Sequence, residues 1–279
     1  MLPLRDENPT RRTPVVTILL IIVNLGVYFF VQPQAGEQAQ VRTDEVRASV
    51  PADLAFNLEH AAIPCEVVHG RPLDLEEIQA TFNQGDDEAC RGDNEATSRR
   101  LFPGKSVLLA VVVSMFLHGS ILHVLGNMLF LWIFGNNVED RLGPVGYIAL
   151  YLVGGVAATV AHIAVQPDST VPVVGASGAI AAVMGAYLVW FPNAPILTLF
   201  FFILIWFRRV AAKWLLAFWL LSQFFIGPDD GVAWVAHVGG FVFGAVVGLL
   251  LRPLLHPDRP AEPPPPVWSP PGGQWRGWD

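Results

Sequence analysis

Runs of apolar residues with few charges constrain this sequence more than any other feature. One run occupies residues 15–31, and five more follow one another between residues 121 and 251. A helix needs about 20 apolar residues to cross the hydrocarbon core of a bilayer. Charged residues make up 15% of the chain, against about 25% in soluble domains. This composition excludes a disordered chain and a nucleic-acid-binding protein, and it predicts an all-α polytopic membrane protein.

The apolar runs, prolines and charges divide the chain into five predicted parts. Arg208, Arg209 and Lys213 are expected on the cytosolic face, because positive charge is retained there. The predicted parts are a cytosolic N-terminus at 1–14, a first transmembrane helix at 15–31, an acidic extracytoplasmic insert at 32–105, a membrane core at 106–252 and a Pro-rich, disordered cytosolic tail at 253–279. The spans expected in the core are 121–135, 145–165, 177–191, 211–226 and 232–251.

Two further apolar segments of the core are too short to cross a bilayer. Residues 107–117 are expected to lie in the interface or against the helix bundle. Residues 196–207 form an apolar run of about a dozen residues, which we interpret as a segment submerged at the cytosolic side. Counting this second segment as a span would move the C-terminus to the other face.

The insert at 32–105 carries the net charge of the whole protein. It contains fourteen Asp and Glu residues and seven Lys and Arg residues, a balance of −7 that equals the charge of the full chain. It also holds the two cysteines, Cys65 and Cys90. Two cysteines in a polar segment between apolar spans suggest a disulfide in an oxidising compartment, with two unpaired thiols as the alternative.

Few polar side chains occur within the spans, and four of them are expected at one depth. Ser177 and His237 each lie fourteen residues from the cytosolic end of their span, which corresponds to about 21 Å. Measured from Glu139, Asn127 lies at about 18 Å and His123 at about 24 Å. Taken alone, each histidine could equally form a hydrogen bond that joins two helices. The shared depth instead predicts that the four side chains converge.

These residue types suit nucleophilic catalysis. A serine hydroxyl needs a base such as His237, and an acyl-transfer intermediate needs donors such as His123 and Asn127 for its oxyanion. With no carboxylate in the spans, the expected arrangement is a Ser–His dyad. The loop before Ser177 contains Gly175 and is followed by Gly178, which permits a tight turn. Small residues at four-residue spacing, which let helices approach closely, occupy positions 177, 181 and 185 on one span and 240, 244 and 248 on another.

At these residues the sequence strongly resembles the rhomboid family of intramembrane serine proteases. The matching motifs are Gly175-Ala176-Ser177-Gly178, Ala236-His237-Val238-Gly239-Gly240 with Gly244, His118 with His123 and Asn127, and Gly135 with Glu139 and Gly143. The resemblance covers residues 106–252. It implies a bundle of six transmembrane helices, no metal or other cofactor, and cleavage of transmembrane protein substrates near the outer face of the bilayer.

The sequence departs from the family at two places. Ala181 occupies the position at which the family often has a bulky aromatic residue stacked on the catalytic histidine, so His237 must be oriented by other packing. The first external loop lacks the Trp-Arg pair that the family often carries. We expect a bacterial inner membrane with both termini cytosolic, and the oligomeric state is open. The alternatives are a non-catalytic rhomboid-like protein that binds transmembrane clients and a transporter lined by histidines.

Overall fold

The computed structural model describes residues 2–34, 36–42, 47–91, 100–201, 205–227 and 233–255. Most of the described chain is helical. The helices are α1 (Val15–Phe30), α2 (Ala52–His60), α3 (Pro64–His69), α4 (Leu75–Gln84), α5 (Val107–Val113), α6 (Ile121–Val165), α7 (Ser177–Trp190), α8 (Ala212–Gln223) and α9 (Trp234–Leu251), with a 3-10 turn at Ser114–Phe116. The strands are β1 (Leu2–Asp6), β2 (Gln38–Arg42), β3 (Arg47–Pro51), β4 (Pro195–Phe201) and β5 (Ile205–Ala211).

Helix α6 combines two of the predicted spans. Gly143 interrupts it with a φ of 73° and a ψ of 167°, immediately before Pro144. A positive φ suits glycine, and proline removes a backbone donor, so the chain changes direction there. Each half has about 22 residues and is about 33 Å long. The side chain of Ser120 caps the first half by accepting a hydrogen bond from the backbone N–H of His123 at 3.2 Å.

Helices α6, α7 and α9 form the centre of the bundle, and α7 and α9 touch backbone to backbone. A Cβ atom at Gly244 would lie 1.8 Å from the carbonyl oxygen of Ala182, and one at Gly240 would lie 2.2 Å from that of Gly178. Glycine is therefore required at both α9 positions. Helix α7 is buried along nearly its whole length, whereas apolar side chains of α1, α5, α6 and α9 are exposed on the outer surface.

By length and hydropathy, two described helices, α6 and α9, could each cross a membrane. Helices α1 and α7 and the segment from Val107 to Phe116 are shorter apolar helices. The predicted Pro-rich tail at 253–279 lies outside the described residues beyond Leu255.

The expectation of an all-α chain is wrong at two places. Residues 196–201 and 205–207 are strands and not helix, because β4 and β5 pair there as an antiparallel hairpin, and the submerged position of this segment stays a prediction. Strand β1 adds to β4, which gives a three-stranded sheet in the order β1-β4-β5. The second exception is the hairpin of β2 and β3 in the insert. An apolar run of a dozen residues does not distinguish a helix from a strand, and the pairing partner β1 is remote in sequence.

The insert folds into a small lobe at one end of the bundle. Helices α2, α3 and α4 enclose a core of Leu58, Ile63, Cys65 and Leu73. A disulfide joins Cys65 to Cys90 with an S–S distance of 2.04 Å. We call residues 52–91 the insert lobe and this end of the bundle the insert face. The opposite end, where β1, β4 and β5 lie, is the sheet face.

Candidate active site

Ser177 and His237 meet where α7 and α9 come closest. Ser177 is the first residue of α7, and its Oγ lies 2.7 Å from Nε2 of His237. The close approach of Gly240 to Gly178 brings the two helices together at the second residue of α7. Because the first N–H groups of a helix have no acceptor in a preceding turn, the backbone N–H of Ser177 points toward the end of the helix at which the hydroxyl lies.

The loop before Ser177 brings His123 beside the nucleophile. Gly175 has a φ of 125° and donates its backbone N–H to the carbonyl of Ser114 at 2.9 Å. A Cβ atom at Gly175 would lie 2.9 Å from Nε2 of His123 and 3.5 Å from Oγ of Ser177. The histidine ring and the serine hydroxyl therefore face each other across this glycine, and any larger residue would separate them.

Asn127 and His118 are buried with unsatisfied polar atoms. Within the described residues, Nδ2 of Asn127 and both ring nitrogens of His118 have no hydrogen-bond partner. Asn127 is one helical turn after His123 on α6, so the two side chains share a face. The ring of His118 packs edge-on against that of His123, with centroids 5.1 Å apart. The Asn127 amide thus has a donor without an acceptor, which a bound reaction intermediate could supply.

His237 has a second hydrogen-bond partner that sequence reasoning missed. Its Nδ1 lies 2.7 Å from Oε1 of Gln223 on α8, and the ring of Trp219 lies beside it with centroids 5.9 Å apart. Gln223 and Trp219 are four residues apart and share a helix face. The signal was present in the sequence, because a glutamine near the end of an apolar span is costly in lipid and usually faces a partner.

The other residues proposed to support the site act through helix capping and helix packing. Glu139 accepts hydrogen bonds from the backbone N–H groups of Val16 and Thr17, at 2.9 and 2.8 Å, and from the hydroxyl of Thr17 at 2.8 Å. Its carboxylate therefore caps the N-terminus of α1 toward the sheet face, away from Ser177. Gly178, Gly240 and Gly244 contribute close helix packing. The family pattern thus combines residues of the site with residues that anchor the bundle.

The insert lobe holds the chain that leads into Ser177. The backbone N–H of Val173 donates to the carbonyl of Ala62 at 2.8 Å. Thr170 donates its backbone N–H and its hydroxyl to the carbonyl of Asp87, at 2.9 and 3.0 Å. These bonds end four residues before the nucleophile. The lobe therefore contacts the site's own loop.

The fold and this site define the class of protein. It is a helical membrane protein in which a serine and a histidine form a hydrogen bond where two helices meet. A family profile described as "Rhomboid domain" matches residues 105–254, more than half of the chain. The chain belongs to the rhomboid family.

Curated relatives match part of the chain. The chain is similar to "Presenilin-associated rhomboid-like protein A, mitochondrial" of Danio rerio, with 36% identity over 94 residues, 33% of this chain and 24% of the relative. It is 27% identical to "RHOMBOID-like protein 12, mitochondrial" of Arabidopsis thaliana over 52% of this chain and 47% of the relative. It is 28% identical to "Rhomboid protein 1, mitochondrial" of Saccharomyces cerevisiae over 54% of this chain and 44% of the relative. The chain spans less than half the length of each.

These relatives contradict the expected bacterial inner membrane. All three carry the word mitochondrial in their names, which points to a mitochondrial membrane instead. The physical reason for the error is that apolar spans and flanking positive charges follow the same rules in both membranes. The expected cytosolic location of both termini belonged to the same assignment and is not retained.

Proposed function

We propose that this chain is an intramembrane serine endopeptidase that cleaves transmembrane segments of other membrane proteins. One observation carries the proposal, the 2.7 Å hydrogen bond between Oγ of Ser177 and Nε2 of His237. A serine becomes a useful nucleophile when a base accepts its proton, and this distance is within the reach of such a transfer. Rhomboid family membership supports the same reading.

The reaction would proceed through an acyl-enzyme. Oγ of Ser177 attacks the peptide carbonyl while His237 takes the hydroxyl proton. The carbonyl oxygen becomes negative, and the Ser177 backbone N–H, His123 and Asn127 donate hydrogen bonds to it. His237 then gives its proton to the leaving amine as the peptide bond breaks. Water hydrolyses the ester by the same steps and regenerates Ser177.

The proposed topology has six membrane-crossing helices. They are α1, the two halves of α6, α7, α8 and α9. Ser177 begins α7 next to the insert lobe, so cleavage would occur toward the insert face of the bilayer. The expected partners are transmembrane protein substrates and surrounding lipid, and the chemistry requires no metal or other cofactor.

A fluorophosphonate probe tests the proposal, because it reacts covalently with activated serine hydroxyls. Detergent-purified wild-type protein should be labelled and should cleave a reporter with one transmembrane segment. Ser177→Ala and His237→Ala should each abolish both activities, and in a coupled dyad either loss costs about as much as both. Ser49→Ala removes an exposed hydroxyl on β3 and serves as the matched control. A folded wild-type protein without labelling, or labelling that survives Ser177→Ala, would overturn the serine mechanism.

A further inference from the structure

We infer that Gln223 is a positioning residue that orients His237 and fixes its tautomer, in place of the aromatic residue that Ala181 does not provide. This inference rests on the proposed function, since it assigns a role within the same reaction. Gln223 lies at the end of α8 and is only 5% exposed. Its Oε1 lies 2.7 Å from Nδ1 of His237, on the opposite side of the ring from Ser177.

The contacts of the Gln223 amide determine which of its two atoms faces the histidine. Its Nε2 donates to the carbonyl oxygen of Trp219 at 3.0 Å, and it lies 3.2 Å from Oγ of Ser222. A carbonyl oxygen can only accept, so the amide nitrogen must point toward Trp219. The amide oxygen is therefore left facing His237.

This orientation selects one form of the imidazole. An amide oxygen can only accept a hydrogen bond, so Nδ1 of His237 must carry the proton. In the neutral ring, Nε2 then has a free lone pair, and Nε2 is the atom 2.7 Å from the Ser177 hydroxyl. The opposite tautomer would present an N–H to the serine and could not accept its proton. Gln223 thus selects the tautomer that a general base requires.

Packing on α8 restrains the ring as well. The indole of Trp219 packs against both His237 and Phe241 of α9, with centroid distances of 5.9 and 6.0 Å. Ala181 is fully buried on α7 and offers only a methyl group. Helix α8 therefore supplies both the hydrogen bond and the aromatic contact. When His237 gains a proton during the reaction, the Gln223 oxygen stabilises the positive charge without adding a buried carboxylate.

Gln223→Met tests this role, because methionine has a similar length and cannot accept the hydrogen bond. We expect kcat for reporter cleavage to fall about ten- to hundredfold, the effect of losing a hydrogen bond to a charged group. KM should stay within about twofold, and fluorophosphonate labelling should slow to a similar extent as kcat. Gln223→Glu keeps an oxygen acceptor at the same reach and should restore most of the lost rate. Gln38→Met, on an exposed part of β2, is the control.

Nuclear magnetic resonance of protein labelled with ¹⁵N-histidine measures the tautomer independently of activity. Wild-type His237 should carry its proton on Nδ1, and Gln223→Met should give a mixture of tautomers. Wild-type kcat in Gln223→Met, or an equal loss in Gln223→Met and Gln223→Glu, would overturn the inference. Failure of the proposed function gives a different result, because the wild-type protein itself would then be neither labelled nor active.

Discussion

The insert lobe and the membrane bundle are held together by opposite means. The lobe buries charge, because Arg71 forms two hydrogen bonds with Glu77 at 2.8 and 2.7 Å and both side chains are almost fully buried. The bundle instead brings backbones into contact at glycines such as Gly244. In lipid, close packing of small residues replaces the hydrophobic effect that helps a lobe in water to fold. The two regions should therefore respond to different substitutions.

The pKa values of ionisable groups in and beside the lobe show how far it depends on paired charges. Burial alone would raise the pKa of Glu77, but hydrogen bonds from Arg71 and from two backbone N–H groups hold that pKa below its usual value. Burial raises the pKa of Glu66 and lowers that of Lys105, although the two side chains form an ion pair. The lobe thus depends on matched charges, and removing one partner leaves the other buried alone.

The largest effect is expected in the bundle. Gly244→Ala places a methyl carbon 1.8 Å from the carbonyl oxygen of Ala182, a backbone atom that cannot move aside without separating α7 from α9. We expect loss of the folded bundle and of fluorophosphonate labelling. Gly26→Ala, on α1, meets nothing within 4 Å and should behave as wild type. Size-exclusion chromatography and thermal unfolding measure the difference, and a folded Gly244→Ala protein would show that this contact is dispensable.

Breaking the buried charge pair should damage the lobe alone. Glu77→Gln leaves the Arg71 guanidinium without its carboxylate, and we expect a loss of about 3–5 kcal/mol in the stability of the lobe. Glu76→Gln is the matched control, because its pair with Arg91 is exposed and worth less than about 1 kcal/mol. Amide hydrogen exchange should increase in α3 and α4 and stay unchanged in α9. Equal exchange in both regions would mean that the lobe and bundle unfold together.

Asn127→Ala should remove function from the bundle without unfolding it. The amide Nδ2 has no partner among the described residues, so its loss leaves no broken bond in the resting protein. If it donates to the oxyanion, kcat should fall by up to about 10²–10³, while the melting temperature stays near that of wild type. Labelling of Ser177 should persist at a slower rate. Unchanged kcat with a lowered melting temperature would assign Asn127 to helix packing instead.

The fourth site at which the comparison can be sharpened is Asp6, on the sheet face. Burial raises its pKa to about 6 from 3.8, although Tyr187 donates a hydrogen bond to it at 2.7 Å. The raised pKa means that the folded state favours the protonated carboxyl. Protonation of Asp6 therefore contributes its whole stabilisation below pH about 4, and this stabilisation is lost as pH rises through about 6. Acidification from pH 7 to 5 should therefore raise the melting temperature.

Asp6→Asn mimics the protonated carboxyl and should reduce this dependence on pH. The melting temperature of the variant should be nearly the same at pH 7 and at pH 5, while that of the wild-type protein rises when the pH is lowered from 7 to 5. Glu7→Gln is a suitable control, because Glu7 lies on the same segment but its pKa is lowered by its hydrogen bond with Arg209. Equal slopes in the wild-type and Asp6→Asn proteins would exclude Asp6 as the source.

The smallest effect is expected where the two regions meet. Thr170→Val removes the hydroxyl that donates to the Asp87 carbonyl and lies 2.6 Å from the hydroxyl of Thr81. The loss should be about 1 kcal/mol. Since the loop leads into Ser177, kcat should fall by a few-fold, with no change for the exposed control Thr13→Val. A change in KM alone would indicate that the lobe acts on substrate binding and not on the loop.

The sequence predicted the parts of this molecule that depend on local pattern. Apolar runs and prolines located most of the helices of the bundle, and depth arithmetic placed Ser177 and His237 at the same level, where the structure brings them together. Their catalytic roles stay predictions. The position of Gln223 was not foreseen, because nothing local relates its register on α8 to His237 on α9. Likewise, Glu139 belongs to a recognisable pattern, but the pattern does not reveal that it caps α1.

The pairing of β1 with β4 determines when the sheet can form during synthesis of the protein. Leu2 pairs with Leu199, so β1 finds its partner only after the chain as far as α7 and β4 has been made. At about 5–20 residues per second, that wait is about 10–40 s. By then α1 and both halves of α6 are already complete. The sheet can form once β4 and β5 follow α7, before α8 and α9 are made, and it joins β1 to the hairpin between α7 and α8.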